Sequence, residues 1–275
     1  VGAQGRQLIN IRRLVNPNPR FTSVLLVKNE ATSDYHALQL QFQRRLSRGL
    51  QALASYTWSH SLDDASSDAN VGLDHASSDF DLRHVFSAAM TYDIPAPRAR
   101  FARALFGNWS MDTIVRLQGA TPVDLIARTF VNVFGETVNI RPDLISEQPL
   151  YLDNPNAPGG RIFNRAAFVI PPLGRQGTLG RNVMRGFPLQ QTDFSLRRRF
   201  GLGESVNLLF RVDVFNVFYH PNFADPVNTL SAATFGQSTQ TFGKGLGSGA
   251  FGSGLSPLYQ IGGARSMQFS FKFQF

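Results

Sequence analysis

The stretch Arg265–Phe275 reads R-S-M-Q-F-S-F-K-F-Q-F, and its side chains alternate with a period of two. Met267, Phe269, Phe271, Phe273 and Phe275 stand on one side, with Gln268, Ser270, Lys272 and Gln274 between them. Successive side chains of a strand point to opposite faces, so this segment predicts a strand with one apolar, mostly aromatic face and one polar face. Lipid or a core belongs on the first side and water on the second.

The same period recurs upstream in segments of about 9 to 11 residues, long enough to cross a bilayer when tilted. Tyr35–Leu46 sets Leu38, Leu40 and Phe42 against Gln39, Gln41 and Gln43. Leu50–His60 sets Leu50, Ala52, Ala54, Tyr56 and Trp58 against Gln51, Ser55, Thr57 and Ser59, and the tight Ser47-Arg48-Gly49 joint marks a hairpin. Arg83–Tyr92, Trp109–Leu125, Thr192–Phe200 and Ser205–Phe218 follow, the last with Val206, Leu208, Phe210, Val212 and Val214 opposite Asn207, Arg211 and Asp213. Phe21–Lys28 is a further candidate, which makes about eight strands in all.

The connections alternate in character. Ser47–Gly49 and Gly201–Glu204 are short and Pro95–Gly107 is moderate, whereas Ser61–Leu82, Arg128–Gln191 and Tyr219–Ala264 are long and rich in Gly, Pro, Asn, Asp and Ser. Loops this long count against a compact soluble domain. If each strand crosses one wall, the short turns fall on one side and the long loops on the other, which is the periplasmic and extracellular asymmetry of an outer-membrane barrel. The expected fold is therefore all-β: an antiparallel transmembrane β-barrel segment, about eight strands of a larger barrel, as a curved sheet or partial barrel with long extracellular loops.

Composition agrees. Among 275 residues there are 24 Phe but only 6 Tyr and 2 Trp, with 24 Gly and 15 Pro, a mixture that suits strands and turns. No stretch approaches the roughly 18 apolar residues of a spanning helix, so only alternating strands are left to cross a membrane. Cys is absent, which excludes disulfides, thiolate metal sites and a Cys nucleophile. The net charge of +8 admits nucleic acid, an anionic membrane surface or scattered arginines. Arg44, Arg45 and Arg48, then Arg98, Arg100 and Arg103, then Arg197, Arg198 and Arg199 all lie beside the short turns. They are read as solvated turn charges and inward-facing arginines or, as a hypothesis, as contacts to anionic head groups of the inner leaflet.

Laid out this way, the chain resembles the C-terminal barrel half of TonB-dependent outer-membrane receptors, in particular the Oar-like branch. The segments that carry the likeness are Tyr35–Gln39, Arg44–Leu50, Ala54–His60, Asp81–Phe86, Gly119–Pro122, Phe163–Phe168, Gly180–Asn182, Asp213–Phe218, His220–Phe223 and the Phe-ended terminus. The resemblance implies a barrel of about 22 strands, plugged by an N-terminal domain and energised through the TonB system. On this expectation residues 1–275 are the C-terminal portion of the barrel domain, with plug domain and signal peptide outside it; the chain starts at Val1 with no basic n-region or apolar h-region. The likeness also implies that Phe269, Phe271, Phe273 and Phe275 form the signal read by the barrel assembly machinery, besides touching lipid.

Motifs that imitate chemistry are weak. Gly247, Gly249 and Gly252 satisfy G-x-G-x-x-G but lack the strand, helix and acidic residue that a dinucleotide site needs. His36, His60, His75, His84 and His220 show no metal-ligand spacing. Ser59, His60 and Asp63 stand too close in sequence for a hydrolase triad. Asp63, Asp64, Asp68, Asp74, Asp79 and Asp81 are numerous enough for a hard cation if they converge, yet match no calcium loop, and a solvated loop is the preferred reading.

The polar residues Gln39, Gln41, Gln43, Gln51, Arg116, Gln118, Arg211 and Asp213 are expected to face the barrel lumen. The functional expectation is an outer-membrane receptor or transporter that moves or binds a solute, located in the cell outer membrane. It has no cofactor, metal or catalytic residue and is not an enzyme. Expected partners are outer-membrane lipid, the assembly machinery, the TonB system through the plug, and the solute, but not nucleic acid. The alternatives are a structural or adhesive barrel without TonB coupling, and a soluble carbohydrate-binding β-sandwich, in which the apolar faces would be buried against a second sheet.

Overall fold

The computed structural model describes residues 31–64, 75–131, 137–203, 206–245 and 261–275. The expected strand Phe21–Lys28 and the Gly247–Gly252 motif lie outside these residues. Seven long strands form one antiparallel sheet: β1 (Ser33–Ser47), β2 (Leu50–Asp63), β3 (His84–Asp93), β4 (Trp109–Gln118), β5 (Leu189–Gly201), β6 (Asn207–Phe215) and β7 (Ser266–Gln274). Each pairs with the next in chain order, an up-and-down meander, and a two-residue strand, Ala76–Ser77, pairs with the end of β2. The outer edges of β1 and β7 have no strand partner among the described residues.

Local chemistry explains the boundaries. Ser47 pairs with Leu50, leaving Arg48 and Gly49 as a two-residue turn with φ of 51° and 79°. Positive φ at both central positions is the turn whose twist matches a hairpin. Glycine is required second, because a Cβ there would stand 2.7 Å from the Asp93 carbonyl oxygen. Between β3 and β4 runs a short helix, α1 (Arg100–Phe106). β4 ends at Gln118 rather than at Leu125: Gly119 still donates to the His84 carbonyl, but Pro122, which lacks the N–H that a central strand needs, pairs in a separate ladder with Arg185. β6 stops at Phe215, where Asn216 takes a φ of 49°.

Register sorts the side chains into two faces. One row runs Arg44, Ala52, Met90, Thr113, Phe194, Val214, Met267, and the next Leu50, Tyr92, Met111, Leu196, Val212, Phe269. The first of these crosses β1 close to its turn but β7 at its second residue, so the strands are staggered, as a tilted barrel wall requires.

The long connections are not the open, structureless loops that their sequence suggests. Residues 119–131 and 137–188 form short strand pairs, Pro122–Val123 with Met184–Arg185, Arg128–Val131 with Thr137–Ile140, Asp143–Leu144 with Phe168–Val169, and Tyr151–Asp153 with Arg161–Phe163, and residues 216–241 join them through the Ile126–Thr229 bridge. The buried apolar core of the chain lies here, not in the sheet. Leu125 and Met184 are fully buried among Val123, Phe163, Phe168 and Phe235. Phe235 sits 6.1 Å from the Phe163 ring and 6.0 Å from that of Phe168, edge-on to the latter. Their spacing in sequence has no period because each contributes from a different turn.

Candidate functional site

Two surfaces and a cap make up the site. The row structure gathers Leu38, Leu40, Phe42, Trp58, Phe210, Phe269, Phe271 and Phe273 on one face of the sheet. Among the described residues no second sheet covers them: Phe271 is 66% exposed and Phe42 61%. A soluble β-sandwich would have buried these residues, so that alternative is set aside. Exposed apolar surface of this continuity belongs in hydrocarbon.

The opposite face is polar. Gln39, Gln41, Gln43, Gln51, Arg116, Gln118, Arg211 and Asp213 all fall on it, in cross-strand rows with Ser55, Ser87, Thr91, Asp112, Asp193 and Ser195. Their groups satisfy one another across strands. Thr91 donates to Asp112 at 2.7 Å, Arg116 lies 3.5 Å from Asp193, and Gln191 donates to Asp193 at 2.8 Å. Arg211 donates to Asp213 at 2.8 Å, and the Ser195 hydroxyl donates to the same carboxylate. Asp112 falls opposite Trp109, Met111 and Thr113 in the sequence alternation, whereas the partners Asp193 and Ser195 were not singled out from sequence, although the same alternation that marks Gln51 marks them.

The cap is tied to the wall by carboxylates. Asp81 is 1% exposed and accepts from the Ser61 N–H at 2.9 Å, His60 Nδ1 at 3.1 Å, Arg83 Nε at 2.9 Å and Arg185 Nη2 at 2.5 Å. Burial alone opposes its charge. The hydrogen bonds from Ser61, Arg185, His60 and Arg83 outweigh that and hold the carboxyl well below the ordinary carboxylate range. Asp64 accepts from the Thr32 hydroxyl and N–H and from His75, which lower it to about 2. Asp63 meets Arg181 at 2.6 Å, and Asp79 accepts from Asn182 at 2.7 Å. The described carboxylates of this loop are thus spread among internal donors rather than solvated, and no metal-binding group of three or more acidic or His side chains occurs among the described residues. Asp68 and Asp74 lie outside the described residues.

Buried asparagines complete the cap, and sequence reasoning assigned them no part. Asn182 (φ 58°) donates to the Ser77 carbonyl at 2.8 Å. Asn216 donates to the carbonyls of His220 and Gly263 at 2.8 and 2.9 Å, joining the end of β6 to the approach of β7. A short amide side chain tolerates the left-handed backbone while closing local hydrogen bonds, which is the signal that could have found them. At the cap lies a cavity of about 460 Å³, where Asp79, Asp124, Asp225, Asn139, Asn182 and Asn228 share the lining with the apolar Pro122, Val123, Ile126 and Pro226.

The remaining candidates separate. Ser59 donates to the Leu82 carbonyl at 2.8 Å, while its neighbour His60 points to the other face and binds Asp81. His84 meets the Tyr56 hydroxyl at 2.9 Å. The rim arginines do not share one surface. Arg197 is on the polar face, 3.5 Å from Asp112, with Arg199 beside it in register, whereas Arg44 and Arg198 are on the apolar face.

A staggered antiparallel wall, apolar outside, polar and cross-linked on the other face, with short turns at one end and a folded cap at the other, defines a membrane β-barrel protein. The sequence matches the family described as outer membrane beta barrel domain over residues 4–256, and the chain belongs to that family. It is located in the outer membrane, and barrels of that membrane carry their short turns at the periplasmic end. No curated protein and no solved structure gives a significant match.

Proposed function

We propose that this chain is the wall and cap of an outer-membrane solute receptor or transporter of the TonB-dependent type. The observation that carries the proposal is the folded cap with its polar cavity, set over a wall whose other face is a continuous hydrogen-bonding surface. A barrel serving only as an anchor needs no buried core in its loops, whereas a receptor needs its binding groups held still. Three carboxylates and three carboxamides suit a solute rich in hydroxyl or ammonium groups, to which they offer mainly acceptors. Gln39, Gln41, Gln43, Gln51, Arg116, Gln118, Arg211 and Asp213 then line the lumen below. The TonB system acts through a plug supplied by the whole protein, and the aromatic last strand serves the assembly machinery by strand addition, for which the edge of β7, without a strand partner among the described residues, is suited.

The test is accumulation of labelled polyols, sugars and amines by cells producing the full-length protein, with and without a functional TonB. TonB-dependent accumulation of one class, lost in Asp124→Asn and Asn228→Ala, is expected. Accumulation indifferent to TonB and to both substitutions sinks the proposal.

A further inference from the structure

The turn between β3 and β4 has a feature that solute transport does not use. Trp109 and Arg198 are cross-strand partners, in one row with Phe210 and Phe271 on the lipid face. Trp109 Nε1 donates to the Leu105 carbonyl at 3.4 Å, and Arg198 Nη2 donates to the Ala104 carbonyl. Both carbonyls belong to the last turn of α1, so the helix is seated against the outer, lipid side of the wall at its periplasmic rim.

The helix is built for that position. Phe101, Leu105 and Phe106 are exposed, Phe101 by 79%. From Ile94 to Met111 the chain carries Arg98, Arg100 and Arg103 and no carboxylate. None of these, nor Arg198, forms an ion pair with a carboxylate among the described residues, in contrast to Arg197 on the other face. The Arg198 guanidinium instead lies 5.3 Å from the Trp109 ring centre and 4.4 Å from that of Phe200. Among the described residues the Arg103 side chain donates only to the Pro97 and Arg98 carbonyls, at 3.2 and 3.4 Å. Apolar side chains and guanidinium groups without a carboxylate partner on one short segment, continuous with a hydrocarbon-facing surface, are the composition of a segment lying in the lipid interface.

We propose that α1, with Arg98, Arg100, Arg103 and Arg198, is a binding site for anionic phospholipid of the periplasmic leaflet. Phe101, Leu105 and Phe106 enter the acyl boundary and the guanidinium groups take the head-group phosphate and its additional negative charge. Fork-shaped guanidinium donors match phosphate oxygens, and each arginine near an anionic surface strengthens attachment about five-fold.

The experiment uses the full chain with Trp58→Phe, so that Trp109 is the single tryptophan, reconstituted in bilayers of brominated phosphatidylglycerol or brominated phosphatidylcholine. Quenching of Trp109 reports the lipid in contact with it. Several-fold preference for phosphatidylglycerol is expected, abolished in Arg98→Ala/Arg100→Ala/Arg103→Ala but kept when the three become Lys and kept in Arg197→Ala. Retained heat-modifiable mobility shows that each variant is folded. Equal quenching by both lipids, or a preference unmoved by the triple alanine variant, overturns the proposal; the second result gives the basic helix to a protein partner instead. Loss of the preference on adding millimolar inorganic phosphate, with bilayer composition unchanged, also overturns it by assigning the site to a free anion.

Discussion

Arg185 grips Asp81 with two nitrogens, one on the carboxylate at 2.5 Å and one on the main-chain carbonyl at 2.8 Å, across 104 residues of sequence. The pair fastens the loop after β2 to the segment before β5, so the cap depends on it. Asp81→Asn keeps the shape but removes the charge from under Arg83, Arg185 and His60. Hydrogen bonds to charged groups are worth about 1.5–3 kcal/mol, and Arg83 and Arg185 stay partly solvated, so a loss of about 2 kcal/mol in cap stability is expected. Hydrogen exchange in residues 119–188 measures it, and unchanged protection would falsify the tethering role.

Acid should release the cap before the wall. Asp81, Asp64 and Asp143 all titrate below the ordinary carboxylate value when folded, Asp143 chiefly through its bidentate Arg175 partner. A depressed folded value means that the stabilisation is complete above the unfolded value of about 4 and is lost as pH falls below it. For Asp64 the loss runs down to about 2. Proteolytic sensitivity of the cap is therefore expected to rise below about pH 4 while the wall keeps its strand circular dichroism. A transition centred well above pH 4 would overturn the assignment to these carboxylates.

The two faces predict opposite responses to one substitution. Val212→Arg places a guanidinium in hydrocarbon midway along β6 and is expected to cost about 2–4 kcal/mol in denaturant unfolding from lipid. Gln51→Arg on the polar face should cost under about 1 kcal/mol. Equal costs would mean that the apolar face does not meet lipid.

Phe235 holds the cap core together through Phe163 and Phe168. Phe235→Ala should remove about 3–5 kcal/mol from the cap, detected as raised exchange there, with no change in β1–β7. A loss spread evenly over cap and wall would show that the two unfold as one unit.

The last strand separates assembly from stability. Deleting Phe275, which is 95% exposed and beyond the end of β7, should lower the fraction inserted in the outer membrane of cells but leave refolding in detergent unchanged. An equal fall in both would reduce its role to packing.

How much of this was legible beforehand follows from the range of the forces involved. Alternation along a strand is local, set by the backbone between one residue and the next, so R-S-M-Q-F-S-F-K-F-Q-F alone declares a two-faced strand, and the same logic placed Leu38, Trp58 and Val212 opposite Gln39 and Asp213. It could equally have parted Arg197 from Arg198, which adjacency in sequence made look like one cluster. Nothing local announces that Asp81 will meet Arg185, that Phe235 will find Phe163, or that α1 will rest on Arg198. Those contacts join segments tens to about a hundred residues apart, and they form only because the meander lays β2, β3, β4 and β5 in succession and so gathers the segments that leave and enter them. The alternating chain by itself determined the wall and its home in a membrane. The tertiary structure decided that the loops form a cap with a core of their own, because burial and ion pairing depend on which distant groups arrive together.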